Sequence, residues 1–231
     1  MSGNEKIEEK INEKVSLGEG INNFIQKNRK GILVCFGVIV VLLAGFIGGL
    51  AIRDAVRDKT ISRVEEFNTR YEELRWDISE GEKAEEVTAL LDDLAAFAEK
   101  TSGYAGGRAW AIIAGIRGDK KEWPQAEQAW SSAAKAASKT YLAPVALFNA
   151  AAAAEEQGNT EDAIRLYTEC LARADIFPAA ARAQFSIGRL RESQSNSAAA
   201  LEAYRALVSK WPKDPVWTSL AQNRIIALQL N

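Results

Sequence analysis

The chain is read as an all-α protein, one apolar membrane-length helix followed by an α-solenoid of antiparallel helix pairs, and three observations lead there. The first is an internal repeat. Trp110, Leu147 and Gln184 stand 37 residues apart, and the same interval links Ala114, Ala151 and Gly188; Ala126, Ala163 and Ala200; and Trp130, Tyr167 and Tyr204. It links the pairs Ala133/Ala134, Cys170/Leu171 and Leu207/Val208 as well. Small residues recur where helices must approach closely, with one aromatic per copy beside them, and a period in this range marks units that bury apolar faces only against neighbours. The second is the run from Gly31 to Ile52, without a charged side chain and bounded by Lys27, Arg29, Lys30 and Arg53. The third is the lack of alternating, turn-bounded segments of the kind that form strands.

The order of small and aromatic positions resembles the tetratricopeptide repeat (TPR), whose usual length is about 34 residues. The middle copy carries it on Leu147, Ala150, Ala151, Ala154, Gly158, Ala163, Tyr167, Cys170 and Leu171, the third on Ile187, Gly188, Ala200, Tyr204, Leu207, Val208 and Pro212. In the first copy Trp110, Ile113, Ala114, Ala126, Trp130 and Ala133 fit, while Gly118 comes three residues early for the interhelix turn. By analogy with that family, the inward-facing positions of the first helices are Arg108, Ala111, Gly115 and Gly118, then Val145, Phe148, Ala152 and Glu155, then Arg182, Phe185, Arg189 and Glu192. The expected partner-binding groove is therefore Phe148, Asn149, Arg182, Phe185 and Arg189, with arginines for carboxylates and rings for apolar side chains. The alternative is that the chain's own last helix fills one or both phenylalanines. The Lys and Asn set of chaperone-docking TPR domains is not matched.

Taken in order, Ile7, Ile11 and Val15 fall on one helical stripe, expected to break at Gly18 and Gly20, and Ile21, Phe24 and Ile25 form a second short face. These read either as a helix lying at the headgroups or as a docking helix. At 1.5 Å per residue, residues 31–52 are long enough to cross a hydrocarbon core of roughly 30 Å, and too long for the apolar region of a cleaved signal peptide. Gly45 and Gly49 form a GxxxG pair, a candidate helix-dimer face. Three basic residues precede the span and four follow it closely, so flanking charge leaves the orientation open; the shorter tail is expected to remain inside. Val56, Ile61, Val64, Phe67, Tyr71, Leu74 and Ile78 then form an amphipathic stripe, with Val87, Leu90, Leu91, Leu94 and Phe97 as its partner beyond Gly81. Thr101, Ser102 and Gly103, with Gly106 and Gly107, are expected to turn the chain into the first clear repeat. Pro144 and Pro178 fall near helix starts, and Asp214-Pro215 reads as an N-cap with proline in the first turn of a capping helix.

The expected organisation is a short cytoplasmic tail (1–30), a transmembrane helix (31–52), a juxtamembrane helical pair or degenerate repeat (53–103), and TPR-like repeats with a capping helix (104–231). A net charge of −2 implies no nucleic-acid partner. The absence of histidine removes the commonest general base and metal ligand, and no phosphate loop, paired-cysteine zinc motif or EF-hand loop is present. No catalytic residue, metal or cofactor is expected, and the chain is not read as an enzyme. Cys35 lies in the apolar run and Cys170 at a core register, so no intramolecular disulfide is expected.

The anchor Phe24-Ile25-Gln26-Lys27-Asn28-Arg29-Lys30, leading into the apolar run and then the repeats, resembles the YfgM-like ancillary subunits of the bacterial Sec translocon. That resemblance implies a periplasmic adaptor in the bacterial inner membrane, whose partners are translocon subunits, periplasmic chaperones or secreted clients, with lipid around residues 31–52. A scaffold that self-associates through its membrane and juxtamembrane helices is the competing expectation.

Overall fold

The computed structural model describes the backbone of residues 3–80 and 83–230; side chains are described at 22, 24–31, 33–78 and 83–230. Nine helices occur among the described residues: α1 Gly3–Glu80, α2 Ala84–Lys100, α3 Gly103–Asp119, α4 Trp123–Ala136, α5 Leu142–Glu156, α6 Thr160–Leu171, α7 Ala180–Ser193, α8 Ser197–Lys210 and α9 Pro215–Leu230. No strand occurs among them. The chain separates into two units, Met1–Asp58 and Lys59–Asn231.

In the first unit α1 passes Gly18 and Gly20 without a break, contrary to the expectation from sequence. One glycine in a helix interior costs about 1 kcal/mol against alanine, which weakens a helix without ending it. The side chains of the Ile7, Ile11 and Val15 stripe, and Ile21, lie outside the described residues, as does Gly81. Phe24, Phe36, Leu42, Phe46 and Ile52 are all more than 60% exposed. This helix is long and apolar enough to cross a membrane.

The second unit is an α-solenoid. From Lys59 onward α1 buries Val64, Phe67, Tyr71, Leu74 and Ile78 against Val87, Leu90, Leu91 and Leu94 of α2 and against Ala109, Ile112 and Ile116 of α3. Pairs α3/α4, α5/α6 and α7/α8 then carry the 37-residue registers. Ala126, Ala163 and Ala200 are at most 1% exposed, so the small residue of each second helix lies in helix-helix contact. At Gly188 an added Cβ would come within 2.5 Å of the Tyr204 ring.

The turns inside the pairs share one geometry that the sequence shows only partly. Lys121, Gly158 and Ser195, 37 residues apart, all adopt left-handed φ of 59°, 77° and 59°. Around each, the amide of this residue bonds the carbonyl three back and the next amide bonds the carbonyl five back: Lys121 to Gly118 and Glu122 to Arg117, Gly158 to Glu155 and Asn159 to Ala154, Ser195 to Glu192 and Asn196 to Arg191. This is the Schellman arrangement, which satisfies the last carbonyls of a helix. The first turn therefore sits at Lys121, and Gly118 is helical. Gly106 and Gly107 likewise lie inside α3 rather than in a turn. A Cβ on Gly107 would stand 2.5 Å from that of Ala137, so this glycine serves close helix packing, while one on Gly106 would run into the Thr101 carbonyl, so that glycine lets the chain enter α3. Asp214 caps α9 as expected, its carboxylate accepting the Trp217 amide at 3.1 Å.

Candidate partner-binding site

The face built by the first helices α3, α5 and α7 is held by a repeated clip of three side chains. Tyr167 of α6 donates its hydroxyl to Glu155 of α5 at 2.6 Å, and Arg189 of α7 donates to the same carboxylate. One repeat on, Tyr204 of α8 donates to Glu192 of α7 at 3.0 Å, and Arg224 of α9 binds that carboxylate, its Nε at 3.1 Å. Each clip ties two helices of one repeat to the first helix of the next. Burial, reinforced by Glu155, pushes the Tyr167 hydroxyl above the ordinary tyrosine range, and burial raises that of Tyr204. Both stay protonated donors at neutral pH.

The expected groove residues are largely occupied by the protein itself. Phe148 packs edge-on against Tyr167, with ring centroids 5.2 Å apart, lies 5.7 Å from Phe177, and carries the Arg182 guanidinium 5.1 Å over its face. Phe185 lies between Tyr204 and Trp217 of α9, at 5.3 and 5.4 Å. Trp217 of the last helix thus covers one side of Phe185. Arg182 rests on a ring and Arg189 holds Glu155, so these guanidiniums act first within the fold. Asn149 is half-buried and lines neither recess of this face. Gly45 and Gly49, in the other unit, are exposed with open space around them.

Two recesses stand open beside these residues. One, of about 450 Å³, is walled by Phe185 and Tyr204 and rimmed by Arg189, Glu192, Ser193 and Arg224. The other, of about 510 Å³, lies at the first repeat, where the inward positions of α3 are Arg108, Ala111, Gly115 and Gly118. Trp123, Trp130 and Tyr71 line it. α3 carries almost no side chain where α5 and α7 carry a ring and a carboxylate, so Tyr71 packs over Gly115, its hydroxyl 2.8 Å from where a Cβ would stand, and the floor is open at Gly118. At its edge Tyr71 donates to Asp119 at 2.7 Å, Arg75 approaches Asp119 at 3.4 Å, and Arg108 donates to the neutral amide of Asn68 at 2.9 Å.

Residues 148–215 match the family model of the tetratricopeptide repeat. A TPR repeat-containing protein of Treponema pallidum (strain Nichols) is 32% identical over 228 residues, spanning 91% of this chain and 93% of the relative. The chain belongs to the TPR repeat-containing proteins. The fold agrees with solved TPR-like repeats described as those of a kinesin light chain of Podosopora anserina, which match 71% of this chain and 86% of theirs at 15% identity and a TM-score of 0.53. A single-residue variant of that structure matches at a TM-score of 0.55, with 71% and 85% covered and 15% identity.

TPR solenoids are protein-interaction scaffolds, and in this one the clips tie successive repeats together along the face of the first helices. Sequence reasoning placed Glu155 and Glu192 on that face but missed their partners. The available signal was a Glu-Tyr pair, 12 residues apart, repeated at 37; it goes unnoticed because the first copy has Gly118 and Trp130 at those registers. The open floor at Gly118, and the Tyr71 hydroxyl over Gly115, were missed for the same reason: glycines there read as a weak repeat. Cys170, at 0% exposure, has its thiol pushed up to about 12 by burial, which makes it a packing residue.

Proposed function

We propose that the protein is a membrane-anchored TPR adaptor that holds segments of partner proteins on its inward face. The observation that carries this reading is the recess at Gly118, walled by two tryptophans and by Tyr71, whose hydroxyl lies over Gly115. Such a shape accepts an apolar side chain from an extended partner segment, while Arg108, bonded to a neutral amide, is placed to take a carboxylate of that segment. Buried aromatic anchors of this kind carry much of the binding energy at protein interfaces, often about 2 kcal/mol or more each. The groove set of Phe148, Asn149, Arg182, Phe185 and Arg189 then frames the path of the segment, with the second recess beside Phe185 as a further contact. The reading assigns no reaction.

In the same reading residues 31–52 span the inner membrane of a bacterial cell. Residues 1–30 stay in the cytoplasm, and the helical pair 53–103 and repeats 104–231 stand in the periplasm. The outward apolar side chains of α1 support the anchor. The resemblance to YfgM-like subunits supports the translocon, periplasmic chaperones or secreted chains as partners. The second reading, a scaffold that self-associates through Gly45 and Gly49, draws on the open space around those glycines.

The two readings separate in native membranes carrying a photo-crosslinking residue at position 108, 45 or 202. The adaptor reading predicts adducts with secretion or chaperone proteins from position 108, and none of these from position 202 on the second helix α8. Adducts confined to position 45 and to copies of the chain itself would overturn it in favour of the scaffold.

A further inference from the structure

Helix α9 is placed as a first helix is, and no second helix packs on it among the described residues. It begins at Pro215, 35 residues after α7 begins at Ala180. At the same offset, Trp217 lies on Phe185 of α7 as Arg182 lies on Phe148 of α5. Arg224 holds Glu192 of α7 as Arg189 holds Glu155 of α5. Three independent registers therefore place α9 against α7 as α7 stands against α5. In α7 the face toward its own second helix is well covered: Phe185 and Gly188 meet the Tyr204 ring, and Gln184 donates to the Ala203 carbonyl at 3.1 Å. The corresponding face of α9 carries Val216, Ser219, Leu220, Asn223, Ile226, Ala227 and Leu230. It is open, with Val216 59%, Ile226 57% and Leu230 82% exposed. No charged residue lies on it, because the one cation of the helix, Arg224, is turned to Glu192.

We infer that this face pairs with the α9 of a second copy of the chain, antiparallel about a two-fold axis through Asn223. On this face the residues to either side of Asn223 match, large apolar with large apolar and small with small: Val216 and Leu230 lie seven positions away, Ser219 and Ala227 four, Leu220 and Ile226 three. In an antiparallel pair each residue meets its mirror position, so Val216 faces the other copy's position 230 and Asn223 faces itself. An asparagine amide both donates and accepts, so two of them bond across an axis, and one such polar pair in an apolar seam fixes register. With no charge on the face, the self-pairing brings no like charges together. A further repeat from another protein fits less well. Its aromatic, placed as Tyr204 is on Gly188, would run into the Asn223 side chain, since a Cβ at Gly188 already stands 2.5 Å from that ring. The 16 residues of α9 span about 24 Å. One helix pair of that length buries less than the roughly 800 Å² per partner of a standard interface, so the association is weak and depends on protein concentration.

The test uses the full chain in its membrane or in detergent, with Cys35→Ser and the buried Cys170 left in place. Under mild oxidation Asn223→Cys should yield a disulfide-linked homodimer. Mixed chains carrying Val216→Cys and Leu230→Cys should crosslink to one another, while Val216→Cys alone should not. Adding Leu220→Arg, or Ile226→Lys if the former lowers the melting temperature, should reduce the Asn223→Cys crosslink at least tenfold. The inference is overturned if Asn223→Cys chains stay monomeric, if Val216→Cys crosslinks to itself as well as it does to Leu230→Cys, or if position 223 crosslinks to a different protein instead.

Discussion

Glu155 and Glu192 show how a carboxylate on the inward face can serve the fold before it serves a partner. Each accepts a tyrosine hydroxyl from one side and a guanidinium from the other, which fixes its position. Because the folded state holds the Tyr167 proton more tightly than the unfolded chain, the contribution is fully present below the ordinary tyrosine value of about 10. It is lost as pH rises beyond that value. Wild-type protein should therefore lose thermal stability above pH 10 more steeply than Tyr167→Phe, whose deficit at neutral pH should be about 1.5 to 3 kcal/mol, the range for a hydrogen bond to a charged group. Parallel melting curves of the two proteins between pH 9 and pH 11 would argue against the clip. At the packing registers, Ala163→Leu adds bulk at a position with 0% exposure and should cost about 1 to 3 kcal/mol, read from the denaturant midpoint. Small residues at fixed spacing declare this kind of contact in the sequence, whereas the fate of Phe148 and Phe185 does not show there. Their neighbours Phe177 and Trp217 come from an interhelix segment and the terminal helix, outside the repeated pattern.

At the scale of the element, the turns depend on one left-handed residue per pair, and glycine stands there only in the middle copy. Ser195 adopts φ of 59° with a Cβ, a conformation that costs a non-glycine residue roughly 1 to 2 kcal/mol. Ser195→Gly should raise stability by part of that amount, and an unchanged or lower melting temperature would show that the turn tolerates its side chain without strain. The solenoid pairs were legible because apolar spacing and repeat period agree. The first turn was placed at Gly118 because glycine is the usual marker of a left-handed residue, and Lys121, which takes that role, carries no such mark. The length of α1 was hidden for the opposite reason: Gly18 and Gly20 look like breaks, yet a long helix absorbs their small cost. Asp214, by contrast, is a cap visible in both sequence and structure. Asp214→Ala should destabilise α9 by about 0.5 to 2 kcal/mol, with faster hydrogen exchange confined to that helix, the Trp217 amide included.

At the scale of the whole molecule, the chain joins a TPR solenoid to an N-terminal helix whose apolar side chains face outward. The proposed anchor predicts that the full-length protein remains in the membrane fraction after carbonate extraction; release of the intact chain to the supernatant would contradict it. The account as a whole rests on the inward face as the place where partners bind, and above all on the open recess of the first repeat. Gly118→Tyr tests this most directly. Gly118 is helical, and a Cβ there meets only Trp123 at 3.7 Å, so the added ring can enter the recess without disturbing the backbone. The measurement is the yield of partner crosslinked from position 108 in native membranes, compared between the variant and the parent at equal abundance and equal melting temperature. A drop of at least tenfold is the expected result, and an undiminished yield of the same partners from a fully folded variant would contradict the account.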